Sequence, residues 1–220
     1  MSVQLLYTAA AGFEAARMLD AQNDARVRKL HGHSFKCSVR AGLSNDWEQF
    51  AGSAVGQLAE ALSCAVAPLD YSDLNQVIAQ PTDAALAQWI SEQLGVPQQE
   101  QIRLSGAPNQ GVILQAQSTQ VWRQYALQSA HWLPNVPPGH KCGRLHGHGF
   151  TVVLQARQNA SNNIDYGTLD AIWAPLHERL NHVCLNDIPG LENPTSEMLS
   201  AWIWAQIKPA LPGLSRVTVY

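Results

Sequence analysis

The sequence has few charged residues, few cysteines and no long apolar run. Lys and Arg number 14 against 17 Asp and Glu, and no basic run is clustered, so a nucleic-acid surface is not expected. No stretch reaches the roughly 18 apolar residues of a membrane span, and the first residues lack the pattern of a secretory signal. Four cysteines in 220 residues suit a reducing compartment, and we expect a cytoplasmic protein.

What the sequence does contain is an internal repeat. Residues 30–35 (LHGHSF) match residues 145–150 (LHGHGF). Further matches follow the same order along the chain: 13–19 with 127–133, 69–75 with 180–186, 81–83 with 194–196, and 89–90 with 202–203. Ordered matches of this kind indicate a tandem duplication. We predict two domains, 1–116 and 117–220, with the junction near residues 116–120.

Both halves show the same succession of predicted elements. A strand precedes the repeated motif, and a second strand follows it at 34–43 and 150–157. Asp46 and Asp165 are predicted N-caps of a first helix, and a second helix starts near Pro81 and Pro194. A strand closes each half, at 101–105 and 216–220, and the first half adds a strand at 112–116. The pattern is typical of an α+β fold with two helices on one face of an antiparallel sheet.

The second copy of the motif has the residues of a metal site. His146 and His148 lie two apart at the start of a predicted strand, so their rings point to the same face, and Gly147 between them removes crowding. His131, on the preceding strand, reaches that face if the two strands pair. Three neutral imidazoles on a sheet form a zinc site with an open position, as in catalytic zinc. A lone His-x-His is more often a surface pair, but the repeat and the third histidine favour the metal.

Cys142 is the candidate reactive thiol. It lies four residues before His146 and next to Lys141, and a nearby cation and a nearby Zn²⁺ both favour the thiolate. It can therefore serve as nucleophile or base, and the alternatives are a fourth zinc ligand or an inert thiol. The other three cysteines lie in apolar runs and are predicted to be packing residues: Cys37, Cys64 and Cys184.

Other polar residues carry weaker signals. His182 follows a predicted helix, where a proton shuttle and a solvated loop histidine are equally good interpretations. Glu197 is predicted to be a first-turn acid of the second helix. His140 and His177 have no informative spacing and are taken as structural.

These residues together resemble a known family. The segments that carry the resemblance are Ala130-His131, Cys142-x-x-x-His146-Gly147-His148, Asp165-Tyr166-Gly167, Leu180-Asn181-His182 and Asn193-Pro194-Thr195-Ser196-Glu197. They are similar to the 6-pyruvoyl-tetrahydropterin synthase family, and within it most to the 6-carboxy-tetrahydropterin synthases of queuosine biosynthesis. The resemblance covers residues 120–220 and is weak over residues 1–116.

The resemblance implies a T-fold, in which units pair their sheets into barrels and assemble as homo-oligomers with active sites between subunits. Three chains of this kind would form a pseudo-hexamer. The resemblance also implies zinc held by His131, His146 and His148, with Cys142 accepting a proton and His182 in the proton relay. The implied reaction converts 7,8-dihydroneopterin triphosphate to 6-carboxy-tetrahydropterin, with loss of triphosphate and acetaldehyde. Candidate substrate contacts are Lys141 and Arg144, which we assign from their charge, and Glu197.

The sequence departs from the family pattern in two places of the second half. The pattern has a glutamate after the closing strand, where it anchors the pterin ring, and that position follows Tyr220. The relay position before His182 is Asn181, where the family often has Asp. Synthesis of 6-pyruvoyl-tetrahydropterin, and an inactive pterin-binding or scaffold protein, are the alternative functions.

The first half departs much further. Arg17 replaces the first zinc histidine, Val27 stands where the cysteine is expected, Tyr71 replaces the relay histidine, and Gly106 replaces the glutamate. Two imidazoles beside an arginine make a poor zinc site. We therefore predict that residues 1–116 are a non-catalytic T-fold unit that serves assembly, and that each chain binds one zinc ion.

Overall fold

A computed structural model describes residues 5–20, 25–42, 47–96, 99–116, 118–158 and 164–220. These residues form a mixed α/β chain of eight strands and four α-helices, as the α+β prediction requires. The chain divides into two compact units, residues 1–120 and 121–220. No helix in the described ranges is long and apolar enough to cross a membrane.

The first unit is built on a mainly antiparallel sheet. Its strand order is β3-β1-β2-β4-β5, with only the short β3 running parallel to its neighbour. The register places Arg17 opposite His31 and Ala15 opposite His33. Helix α1 packs against β1, and α2 packs against β4 and β5. The elements are β1 (Leu6–Arg17), β2 (His31–Gly42), α1 (Trp47–Val66), β3 (Ser72–Asp73), α2 (Asp83–Leu94), β4 (Gln99–Ala107) and β5 (Gln110–Gln115).

The second unit has the same plan without the fifth strand. Strand β7 lies between β6 and β8 and pairs antiparallel with β8. In place of β3, a single parallel bridge joins Ala130 to Cys184, at the positions that match the Ala16–Asp73 pair of the first unit. The elements are β6 (Ser118–His131), β7 (His146–Arg157), α3 (Tyr166–Leu180), α4 (Ser196–Ile207) and β8 (Leu214–Val219).

Alternation along β6 sets the face on which the site is built. Tyr125 stacks on Trp173 of α3 with ring centroids 5.0 Å apart, and Arg123 pairs with Asp170 of the same helix at 3.0 Å. Because side chains of one parity share a face of a strand, His131 at the end of β6 lies on this helix-facing side. His131, the first of the three candidate metal ligands, therefore lies where β6 leaves the core.

The helix starts follow the predicted capping chemistry. Asp165 accepts a hydrogen bond from the backbone N–H of Thr168 at 2.7 Å, which confirms it as the N-cap of α3. The second helices begin after Thr82 and Thr195, whose hydroxyls cap α2 and α4. The predicted cap Asp46 lies outside the described residues. The packing prediction is confirmed for Cys37, which is buried, and wrong for Cys64, which lies on the exposed side of α1.

Candidate metal centre

Three histidines of the second unit converge at the ends of two neighbouring strands. His131 ends β6, and His146 and His148 begin β7. One ring nitrogen from each lies within 4.8 Å of the other two, and the group contains no thiol or carboxylate. The Nε2 atoms of His131 and His148 are 3.1 Å apart. The structure therefore brings together the three residues that sequence spacing singled out as metal ligands.

Backbone carbonyls fix how these imidazoles are protonated. The Nδ1–H of His131 donates to the carbonyl oxygen of Pro194 at 2.9 Å, and that of His146 donates to Arg144 at 2.7 Å. The Nδ1 of His148 lies 3.3 Å from the carbonyl oxygen of Gly149. A proton held on Nδ1 leaves the Nε2 lone pair of each ring available as a ligand, the usual arrangement around protein-bound metals.

The geometry suits a divalent transition metal. Two nitrogens at zinc–nitrogen distances of about 2.0–2.1 Å in a tetrahedral site lie about 3.3 Å apart, close to the observed 3.1 Å. Two lone pairs that face each other at this distance repel unless a cation lies between them. Burial lowers the pKa of His131, which is only 5% exposed, so its neutral ligand form is favoured. The residues present thus fit the metal that the family resemblance implies.

Close packing of the strands explains the glycine between the two motif histidines. A Cβ atom at Gly147 would lie 3.2 Å from the carbonyl oxygen of Ser129 and 3.5 Å from the Cα of Ala130. A side chain there would push β7 away from β6 and separate the imidazoles. Glycine at position 147 is therefore needed to keep β6 and β7 close enough for the imidazoles to converge.

Cys142 lies in a short 3₁₀ turn, Lys141–Gly143, between the two strands. Its carbonyl oxygen accepts from the N–H of Leu133 at 2.8 Å, and its own N–H donates to Nδ1 of His140 at 3.2 Å. Its side chain is half-buried and lies outside the three-histidine group. The turn ties the backbone of Cys142 to the residues just beyond His131.

The three candidate substrate contacts are all at the surface. Lys141 and Arg144 are exposed at either end of the cysteine turn. Glu197 lies in the first turn of α4, as predicted, and the Thr195 hydroxyl lowers its pKa by hydrogen bonding. In this position Glu197 and Thr195 stabilise the helix start.

His182 lies with His148 in an open cleft of about 680 Å³. Its backbone is left-handed, with a φ of 58°, and its N–H donates to the carbonyl oxygen of Gln128 at 2.6 Å. On the ring, Asn181 donates to Nδ1 and Nε2–H donates to the Gln128 side chain, both at 3.3 Å. The Asn181 side-chain oxygen accepts from the backbone N–H of Gln128 at 2.9 Å. Asn181 thus supports the strand as well as the histidine.

Two supporting groups were missed by sequence reasoning. The carbonyl of Pro194 has no side-chain signal at all. Asn186 accepts from the N–H of Trp132 at 2.9 Å and donates to its carbonyl at 2.8 Å, which anchors the residue next to His131. Asn186 matches Asn75 in the repeat, and this match was the one sequence signal that could have identified it.

The first unit keeps the scaffold and changes the site. Tyr71 takes the place of His182 with the same left-handed backbone, a φ of 50°, and the same 2.6 Å bond, here to Glu14. Gly106 lies where a glutamate was expected, and a Cβ atom there would be 2.9 Å from the Phe35 ring. This position has no room for a side chain.

A family model described as 6-pyruvoyl tetrahydropterin synthase matches the chain twice, over residues 7–115 and 120–220. The chain belongs to this family. A 6-carboxy-5,6,7,8-tetrahydropterin synthase from Synechocystis sp. is 38% identical over 109 residues, which are 45% of this chain and 83% of the relative. A putative 6-carboxy-5,6,7,8-tetrahydropterin synthase from Archaeoglobus fulgidus is 31% identical over 86 residues, 37% of this chain and 73% of the relative.

Two solved structures resemble the chain in fold. Uricase from Arthrobacter globiformis aligns over 99% of this chain and 80% of its own, at 10% identity and a TM-score of 0.51. The 6-pyruvoyl tetrahydropterin synthase of Caenorhabditis elegans aligns over 52% of this chain and 96% of its own, at 14% identity and a TM-score of 0.44. At these identities the likeness concerns the fold alone.

Proposed function

We propose that the second unit is a zinc-dependent 6-carboxy-tetrahydropterin synthase acting on 7,8-dihydroneopterin triphosphate. Membership of the family and the 38% identical relative support a pterin synthase. The observation that carries the proposal is the convergence of three imidazole nitrogens within 4.8 Å. His131, His146 and His148 would hold the ion, and their Nδ1–H bonds to backbone carbonyls would orient them.

The remaining residues are assigned by chemistry. Bound zinc would supply polarisation of the substrate's side-chain oxygens and so acidify the adjacent C–H. Cys142, as thiolate, accepts that proton, and His182 takes part in the proton relay. Lys141 and Arg144 attract the triphosphate, and Glu197 contacts the substrate.

The reaction balances with one water molecule. Triphosphate leaves with its bridging oxygen, and two side-chain carbons leave as acetaldehyde. The remaining carbon becomes the carboxylate, whose second oxygen comes from water, and the electrons it loses reduce the dihydropterin ring. No external oxidant or reductant is required, which suits a site of imidazoles and one thiol.

Product analysis tests the proposal. Full-length protein loaded with zinc and given dihydroneopterin triphosphate should release acetaldehyde and triphosphate in equal amounts. Triphosphate release without acetaldehyde would indicate 6-pyruvoyl-tetrahydropterin synthesis, the activity named by the matching family model. Binding of the pterin without release of either product would indicate a pterin-binding scaffold and would refute the proposed enzymatic activity.

For the first unit, residues 1–116, we propose a non-catalytic role in assembly. Arg17, Val27 and Tyr71 stand where the second unit has His131, Cys142 and His182. T-fold units of both halves would then join sheets into a barrel, with three chains forming a pseudo-hexamer. Light scattering on the purified protein measures this, and a monomer would contradict it.

A further inference from the structure

Arg17 occupies in the first unit the place that His131 occupies in the second. Each ends the first strand of its unit, and each residue is buried, at 2% and 5% exposure. A buried arginine is rare and requires partners, because its charge cannot be removed by deprotonation. The partners of Arg17 therefore indicate what the first unit has put in place of a metal site.

The contacts of Arg17 parallel those of the metal site. Its Nη1 donates to the carbonyl oxygen of Pro81 at 2.7 Å, as His131 donates to the matching Pro194. Its Nη2 lies 3.3 Å from Nε2 of His33, the nitrogen that corresponds to the ligand atom of His148.

The two motif histidines of the first unit also hold their Nδ1–H groups on backbone carbonyls. His33 donates through Nδ1 to the carbonyl oxygen of Gly106 at 2.8 Å, so its Nε2 lone pair faces the guanidinium and accepts from it. His31 bonds through Nδ1 to the carbonyl oxygen of Lys29 at 2.7 Å, as His146 does to Arg144. The first unit thus presents a ligand-type imidazole nitrogen, that of His33, to an organic cation.

Charge balance explains the accompanying change at Asp83. Nη1 of Arg17 also donates to Asp83 at 2.7 Å, and the two side chains are 3% and 2% exposed. The matching residue of the second unit is Ser196, which carries no charge. A buried guanidinium needs a counter-anion, whereas a metal held by neutral imidazoles obtains its compensation from a bound anionic ligand.

We infer that Arg17 is a built-in substitute for the metal ion: its guanidinium holds the first unit in the metal-bound arrangement and excludes a metal from His31 and His33. The inference rests on the metal site proposed for the second unit. It makes the fold of the first unit independent of metal supply and fixes the stoichiometry at one ion per chain.

The decisive experiment restores the first site while the second is removed. In the full chain, His131→Ala with His148→Ala should bind no zinc after dialysis, measured by mass spectrometry of the metal. Adding Arg17→His and Asp83→Ser, the residues of the second unit, should raise the content from zero to one ion per chain. A folded four-fold variant that binds none would overturn the inference. Failure of the unmodified chain to bind zinc would instead refute the proposed function.

Thermal unfolding gives a second test that does not need the four-fold variant to fold. With a chelator present, Arg17→Met should lower the Tm by roughly 10 °C or more, since it removes the buried cation that pairs with Asp83. Arg17→Lys should also lower it, because one ammonium cannot reproduce the fork that reaches Pro81, Asp83 and His33 together. An unchanged Tm in Arg17→Met would contradict the role assigned to the guanidinium.

Discussion

Asn186 offers a way to separate the scaffold of the site from its chemistry. Its side chain makes four hydrogen bonds: two with the backbone of Trp132, at 2.9 and 2.8 Å, one to the carbonyl oxygen of Glu192 at 3.2 Å, and a weaker one accepted from Sγ of Cys184 at 3.8 Å. Trp132 is the residue after His131, so these bonds hold the end of β6 in place. Asn186→Ala removes all four without changing a metal-ligand residue.

The expected loss can be worked from these bonds. At about 0.5–1.5 kcal/mol for each, and with the side chain half-buried, Asn186→Ala should lower the unfolding free energy by about 2 kcal/mol. Loosening an outer-shell support of a metal-bound histidine typically costs about 10–100-fold in metal affinity. Asn75 is the matched control, because it makes two equivalent bonds to Met18, at 2.7 and 3.0 Å, in the unit without a metal site.

Urea unfolding and zinc competition with a chromophoric chelator measure the two effects separately. Asn186→Ala should lose both stability and zinc affinity, whereas Asn75→Ala should lose about 1–2 kcal/mol of stability and keep the parental affinity. Equal zinc affinities for the two variants would refute the link between Asn186 and the ligand geometry. A loss of affinity in Asn75→Ala would refute the assignment of the site to the second unit.

Three further predictions follow from the site and its degenerate copy. Cys142→Ala should retain parental zinc content and lose turnover by about 100-fold or more; turnover at the parental rate would remove the proton-transfer role. Burial, and then Arg17, lower the pKa of His33 in the folded chain, so the unfolded chain takes up the proton at a higher pH. The free energy of unfolding should therefore fall as the pH drops below 6.5. Urea titrations should show a flatter fall with pH in His33→Gln, and an equal slope in the variant and the parent would contradict this. Gly106→Glu should lower the Tm without adding activity, because the new Cβ meets the Phe35 ring at 2.9 Å; a Tm at or above the parental value would be the contrary result.

The sequence was informative wherever function depends on side chains at fixed spacing. His146 and His148 could be placed on one face because strand geometry alternates, and His131 could be added because a strand pairs with its neighbour. The repeat also predicted the element order, and the sequence around Asp165 predicted its cap. These features are local, or are repeated in the chain, and so they leave a pattern that can be read.

What could not be predicted depends on backbone groups and long-range contacts. The carbonyl of Pro194 orients His131 across 63 residues of chain, and every residue type has a carbonyl. The partner of Arg17 was equally hidden, because Asp83 reads as an ordinary first-turn acid of α2. Only the folded register shows that this carboxylate reaches the end of β1.

The two halves together show which constraints belong to the fold and which to the metal. Both keep the asparagine that anchors the end of the first strand, and both keep a left-handed residue, Tyr71 or His182, whose N–H bonds back to that strand. A non-glycine residue in this conformation is unfavourable, so its presence in both units follows from the shared scaffold and is not by itself a mark of catalysis.

The differences between the two units concentrate where the metal would be, and they are paired. Arg17 stands where the second unit has the imidazole of His131, and Asp83 stands where it has the neutral Ser196. Removal of the metal alone would leave the imidazole lone pairs without a cation, whereas in the first unit the Nε2 lone pair of His33 meets the Arg17 guanidinium. On the inference that Arg17 substitutes for a metal ion, the first unit keeps its fold without one.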